Sequence, residues 1–205
     1  METFAMGYHY DGEFQLKKLE VGSIENNCYV LIDPASQEAL IIDAAWEPER
    51  ILEEVEGLKV QRILTTHGHG DHHDALDPVR HKLGVHGGIG AEDASMLKTP
   101  PDFTISDGET FRFGDHEVRA LHTPGHTPGA TCFLIGKHLF TGDTLFPGGP
   151  GNTKGNRQNF IQIIESIRTR LFTLPDETVV YPGHGRDTTI GAEKPHLQEW
   201  IDRGW

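Results

Sequence analysis

Cysteine is nearly absent: Cys28 and Cys132 are the only two in 205 residues. That count excludes a disulfide-built scaffold and makes a reducing compartment, the cytoplasm, the expectation. Both cysteines fall in apolar runs, 28–32 and 131–135, that read as strands, so buried free thiols are expected ahead of a bridge. Long apolar runs are also missing. No stretch reaches the roughly 18 residues that a membrane span needs. Residues 1–12 lack a basic segment leading into an apolar one, so no signal peptide is read there. Positive charge is scarce, with 18 Lys and Arg against 31 Asp and Glu and a net charge of −13. Phosphate-backbone binding needs a basic footprint, so nucleic acid is not an expected partner. No internal repeat is visible. Apolar residues still make up 36% of the chain, enough for a sizeable core at this length. One domain over residues 1–205 is expected, with 1–12 as a loose arm.

What the chain does have is histidine, concentrated in one place. Residues 65–74 read Thr-Thr-His-Gly-His-Gly-Asp-His-His-Asp. The β-branched run 60–64 just before them reads as a buried strand, and 75–83 just after as a helix. The cluster therefore sits on a loop at the carboxyl end of a strand, where α/β sheets commonly hold ligands. Imidazoles and carboxylates are first-choice ligands for zinc, iron or manganese.

Strands are predicted over 14–21, 28–32 and 39–43, then a helix over 48–55 opened by Pro48 and stopped by Gly57. Asp43 ends its strand, as either a turn residue or a partner that fixes the metal-loop side chains. Residues 85–90 are short and glycine-rich, and 91–97 read as a brief helix. His81 and His86 fall outside any ligand-like spacing and read as surface groups. Hairpins are predicted at 109–121 around Gly114-Asp115 and at 130–140 around Gly136-Lys137. Between them, 122–129 form a tight loop with His126 at its centre. The second hairpin runs into Thr141-Gly142-Asp143-Thr144. Residues 146–157 are rich in glycine but lack the phosphate-cradling Gly-x-x-x-x-Gly-Lys-Ser/Thr spacing, leaving a site-covering loop or a plain connection. A helix with one broad apolar face spans 160–171. A strand over 177–181 delivers Pro182-Gly183-His184-Gly185, and helix over 188–200, interrupted near Pro195, follows.

Seven candidates thus stand at strand ends: His67, His69, Asp71, His72, His126, Asp143 and His184. Four separate loops each offering a ligand in this order is a specific signal. With its His-x-His-x-Asp-His run, Thr-Gly-Asp-Thr-Leu-Phe (141–146) and Tyr-Pro-Gly-His-Gly (181–185), the chain resembles the metallo-β-lactamase superfamily over nearly its whole length. Within it, the chain is most similar to hydroxyacylglutathione hydrolases (glyoxalase II) and their short bacterial relatives. The resemblance implies a four-layer αββα sandwich with α/β content and two divalent metals, zinc first and iron or manganese next, along one edge. It implies His67, His69 and His126 on one metal, Asp71, His72 and His184 on the other, and Asp143 between them. Bound cations lower the pKa of water towards about 7, and a thiolate of pKa about 8.5 leaves without strong acid help. Hydrolysis of a small-molecule thioester is therefore the leading expectation, with Asp71 orienting the attacking water. A persulfide dioxygenase-like enzyme with one iron on His67, His126 and Asp143 is the alternative, and a lactonase or β-lactamase a third.

The chain also departs from the glyoxalase pattern. Gly70 stands where relatives often carry a bulkier residue, which implies a wider mouth. His73 stands where a small residue is common and reads as a supporting or surface group. Residues 148–152 lack the Gly-Cys-Gly-Arg pattern, and the helical region that helps glyoxalase II grip glutathione does not follow His184. A different thiol carrier, or a looser grip, is implied.

Overall fold

A computed structural model describes residues 7–204. Seven strands form the first sheet in chain order: β1 (Tyr10–Asp11), β2 (Gln15–Val21), β3 (Asn26–Ile32), β4 (Glu38–Ile42), β5 (Lys59–Thr65), β6 (His86–Gly90) and β7 (Phe103–Ile105). The first four pair antiparallel through short turns. From β4 onward the pairing is parallel: helices α1 (Pro48–Glu54) and α2 (Leu76–Leu83) supply the crossovers from β4 to β5 and from β5 to β6, and a connection through a 3₁₀ segment joins β6 to β7. The second sheet contains β8 (Thr110–Phe113), β9 (His116–His122), β10 (Thr131–Ile135) and β11 (His138–Gly142). After a small ribbon of β12 (Leu145–Phe146) and β13 (Gly149–Pro150), it is completed by β14 (Val179–Pro182) and β15 (Thr188–Thr189). Between them α3 (Arg157–Ser166) runs on through a wider π-type turn at Ile167–Leu171. Asn156 caps α3 by accepting the Gln158 and Asn159 amides. The chain closes with α4 (Ile190–Glu193) and α5 (Leu197–Arg203).

Strand periodicity decides which side chains meet. In β3, buried along its whole length, Tyr29 and Leu31 point into the space between the sheets. There they join Phe14, Leu40, Leu64, Phe113, Phe133 and Phe140. Cys28, Val30 and Ile32 point the other way, onto Ile51 of α1 and Val79 of α2. On the far side, Cys132 and Val180 of the second sheet pack on Ile163, Ile167 and Trp200. Three apolar layers therefore separate four structural ones, in the expected αββα order. Both cysteines are free and buried. Burial raises both thiols, Cys132 to about 11, so neither is a thiolate at neutral pH.

Several expectations are corrected. The loose arm at 1–12 is partly ordered: β1 pairs with β2, and Tyr10 packs 5.1 Å from Phe14 and 4.3 Å from His138, ring centre to ring centre. Residues 1–6 of that arm lie outside those described. The short glycine-rich stretch at 85–90, to which no element was assigned from sequence, contains the interior strand β6 (His86–Gly90). Its glycines are required by crowding, since a Cβ on Gly88 would overlap the Phe103 ring. The brief helix expected over 91–97 is present as a 3₁₀ helix, Ala91–Met96. The glycine-rich stretch contains the β12–β13 ribbon, and 188–200 opens as the edge strand β15. Among the described residues, no helix is long and apolar enough to cross a membrane.

Candidate metal centre

In the second sheet, β9, β11 and β14 run in the same direction. Their carboxyl ends deliver His126, Asp143 and His184 to one edge. The end of β5, in the facing sheet, delivers residues 67–72 to the same place. Gly70, Asp71 and His72 form one 3₁₀ turn, which turns Asp71 and His72 towards the second sheet. All seven candidates come together.

They form two groups. His69 Nδ1 lies 2.8 Å from His126 Nε2 and 3.1 Å from His67 Nε2. His72 Nε2 lies 3.2 Å from His184 Nε2, and Asp71 Oδ2 is 3.4 Å from His184 Nε2 and 3.6 Å from His72 Nε2. Asp143 stands between them. Its Oδ2 is 3.5 Å from His126 Nε2, and its Oδ1 is 3.4 Å from His72 Nε2 and 3.7 Å from His184 Nε2. A side chain on Gly183 would strike both Asp143 and His72, so glycine at that position permits the approach.

The outer ring nitrogens of His67, His72, His126 and His184 are committed elsewhere, which fixes what their inner ones do. His126 Nδ1 donates to the Asn152 carbonyl at 2.9 Å, and His184 Nδ1 to the Ile24 carbonyl at 2.9 Å. His72 Nδ1 donates to Asp43 Oδ2 at 3.0 Å. The Thr66 hydroxyl donates to the same oxygen at 2.7 Å and lies 3.1 Å from His67 Nδ1, so it accepts that N–H. Asp43 also takes the Thr66 amide at 2.7 Å. One buried carboxylate thus orients two of the histidines.

The two groups titrate in opposite directions. Burial, reinforced by His72, His126 and His69, holds His67 well below 6.5. Burial also lowers His69, with His126 and Lys154 adding to it, and lowers His126 despite Asp143. Burial would lower His72 as well, but Asp143, Asp43 and Asp71 outweigh it and raise the imidazole to about 9. His184 rises against burial because of Asp71 and Asp143. The His184 hydrogen bond in turn holds Asp71 well below the usual carboxylate range.

The donor set suits divalent cations. The first group converges three neutral imidazole nitrogens. The second converges two imidazoles on a carboxylate that favours positive charge. Asp143 Oδ1 is buried without a hydrogen-bond partner, an arrangement a bound cation would relieve. Nitrogen and carboxylate donors of this kind fit zinc, iron or manganese.

His73 is buried beside the cluster, and its ring bonds the Gly68 carbonyl at 3.2 Å. It supports the loop from behind. His81 and His86 are exposed, one against the Asp77 carbonyl and the other near Asp102. Sequence reading missed Asn26, whose Nδ2 donates to the Asp71 carbonyl at 2.9 Å and to its Oδ2 at 3.1 Å. It also missed Asn152 and the buried Asp93. None of these three stands in a motif, and each acts across a long sequence separation.

The sequence profile of the metallo-beta-lactamase superfamily matches residues 22–184. The chain belongs to that superfamily. It is 33% identical over 198 residues to a protein named hydroxyacylglutathione hydrolase GloC from Haemophilus influenzae, covering 86% of this chain and 93% of the relative. It is 32% identical over 183 residues to a probable polyketide biosynthesis zinc-dependent hydrolase, BaeB, from Bacillus velezensis, covering 84% and 78%. Among solved structures it is similar to ETHE1 from Myxococcus xanthus, with a TM-score of 0.80 and 32% identity over 89% of this chain and 82% of that one. Membership supports a metal-dependent hydrolase acting on a small molecule, with divalent metal at the His/Asp cluster.

Proposed function

We propose that this protein is a dinuclear metal-dependent hydrolase acting on S-acylated thiols such as hydroxyacylglutathione, working as one domain in the cytoplasm. The observation that carries this reading is the position of Asp143, one oxygen turned to each three-donor group. In the proposal, His67, His69 and His126 hold one divalent ion and Asp71, His72 and His184 the other. Asp143 would offer one oxygen to each, and zinc is the first choice of metal. When bound, such a pair supplies an activated water at neutral pH and an electrophile for a carbonyl oxygen.

The chain's own residues supply position and charge. Asp43 and Thr66 fix the His72 and His67 rings, so the inner nitrogens need no reorganisation. Asp71, anchored by Asn26 and held ionised, orients the attacking water. A thiolate leaving group needs no general acid, and no protonated carboxyl is called for in the site. The name of the Haemophilus influenzae relative supports the substrate class. A one-iron centre on His67, His126 and Asp143 would leave Asp71, His72 and His184 converging without a cation.

The test is hydrolysis of lactoylglutathione by metal-loaded and chelated protein, with the metal counted. Metal-dependent turnover at two ions per chain is expected. A single iron with oxygen consumption on a glutathione persulfide, and no thioester cleavage, would overturn it.

A further inference from the structure

Residues 186–188, which follow His184 in the chain, line a cleft of about 500 Å³. Gly148 lines it and also lines the smaller pocket that contains Asp143, so the two spaces adjoin along the glycine-rich segment. Buried Trp200 forms part of the wall. Three acids line the cleft, and each is already engaged. Asp187 takes Lys18 at 2.7 Å and His9 at 2.5 Å. Glu193 accepts the Gly148 amide at 2.8 Å and the Thr188 hydroxyl at 2.6 Å. Glu199 pairs with His196 at 3.1 Å.

Arg186 lines the same cleft, is exposed, and has no hydrogen bond or ion pair among the described residues. It follows His184 by two positions. Lys18 balances Asp187, His196 faces Glu199, Glu193 is held by an amide and a hydroxyl, and Arg203 lines the same wall with a partner of its own, so Arg186 is the charged lining group left without a partner among the described residues. A guanidinium presents a planar fork matched to carboxylate and phosphate oxygens.

We propose that Arg186 is a binding residue for an anionic group, a carboxylate or phosphate, on the thiol carrier of the substrate. The acyl end then lies at the His/Asp cluster and the carrier runs along Gly148 into the cleft. This inference rests on the thioesterase reading. It supplies a carrier contact that does not depend on a glyoxalase-type helical region.

The test compares native protein with Arg186→Ala and Arg186→Lys, all metal-loaded, on lactoyl thioesters of glutathione, coenzyme A and uncharged N-acetylcysteamine. Arg186→Ala is expected to raise KM about tenfold for one anionic carrier, with kcat within about twofold. The N-acetylcysteamine thioester should be unaffected, and Arg186→Lys should recover part of the loss. Selective loss on glutathione identifies a carboxylate, and on coenzyme A a phosphate. An equal effect on all three thioesters, no effect on any, or the selective loss appearing in Lys154→Ala instead overturns the proposal. Binding of S-methylglutathione and S-methyl coenzyme A, measured by calorimetry, needs no turnover. If native protein binds neither, the anion site is overturned. If one binds and Arg186→Ala weakens it while no thioester is cleaved, the anion site stands and the thioesterase reading falls.

Discussion

The buried Asp93 carboxylate accepts the Gly129 amide at 2.7 Å, and through that bond the loop carrying His126 is tied to the loop carrying His67 and His69. Its other oxygen takes the Gly68 amide at 2.9 Å and the Thr127 hydroxyl at 2.6 Å. Three donors from two loops meet on one charge, across 25 to 36 residues of sequence. Each such bond to a charged acceptor contributes about 1.5–3 kcal/mol. Asp93→Ala is expected to cost roughly 3–5 kcal/mol, because it also leaves buried amides unpaired. Metal affinity should fall with it. Urea denaturation and chelator competition measure the two, and a variant with native stability would show that the loops hold their places without Asp93.

Asp43 acts more directly. Its backbone is left-handed, with φ of 56°, which turns the carboxylate back onto Thr66 and His72. Asp43→Asn keeps the size but presents one oxygen where two are used. Removing the partner of a metal-ligating histidine costs about 10–100-fold in metal affinity. That loss is expected here, with the fold retained. Competition against a zinc-sensing dye reads it directly, and unchanged affinity would make Asp43 a turn residue only.

Metal removal should destabilise the whole protein, because the centre joins loops from both sheets. A ligand held at 1,000 times its Kd adds about 4 kcal/mol to stability. For a chain of this size about 1 kcal/mol moves Tm by roughly 2–4 °C. Chelation is therefore expected to lower Tm by roughly 8–16 °C, reversibly on adding zinc. A Tm indifferent to chelator would mean that the donors gain nothing from a cation.

The layers and the candidate site residues were legible in the sequence for different reasons. The apolar runs at 28–32 and 39–43 and the apolar face at 160–171 reflect burial, which is local in sequence. The seven candidates were visible because they stand at strand ends, all but His72 directly beside glycine or threonine. Asp93, Asn26 and Asn152 were not visible, since their roles depend on which loop folds against which. Strand β6 was not read because its glycines, which allow close packing against Phe103 and Leu76, carry no β-branched or aromatic strand signal.

Asp102 offers a test of stability against pH away from the centre. Burial raises its carboxyl, yet the Gly87 amide and the Arg80 guanidinium, 2.8 and 2.9 Å away, outweigh burial and lower it. A folded pKa below the unfolded one gives stability that is present above the unfolded value of about 3.9 and lost as pH falls through the folded value. Asp102→Asn is expected to be less stable by about 1 kcal/mol at pH 7, a figure kept small because the pair is partly solvated. That gap should close on acidification below about pH 4. A gap independent of pH would assign the loss to geometry rather than charge.

Asp71 separates chemistry from structure. Its side-chain partners are Asn26, His72 and His184, all at the open edge rather than in the apolar layers. Asp71→Ala should therefore fold, with a circular dichroism spectrum like that of the native protein. If the centre is dinuclear as proposed, it should also lose the ion that His72 and His184 would hold, while the group of His67, His69 and His126 would keep its own. Turnover is expected to fall by about 10²–10⁴, the range for loss of a positioned acid–base group, or further as the second ion leaves. Metal counting on the variant distinguishes the two roles. One ion with no activity means that Asp71 acts as a ligand, whereas two ions with low activity mean that it acts on the water. Native turnover by Asp71→Ala would remove Asp71 from the reaction and return the proposal to Asp143 alone.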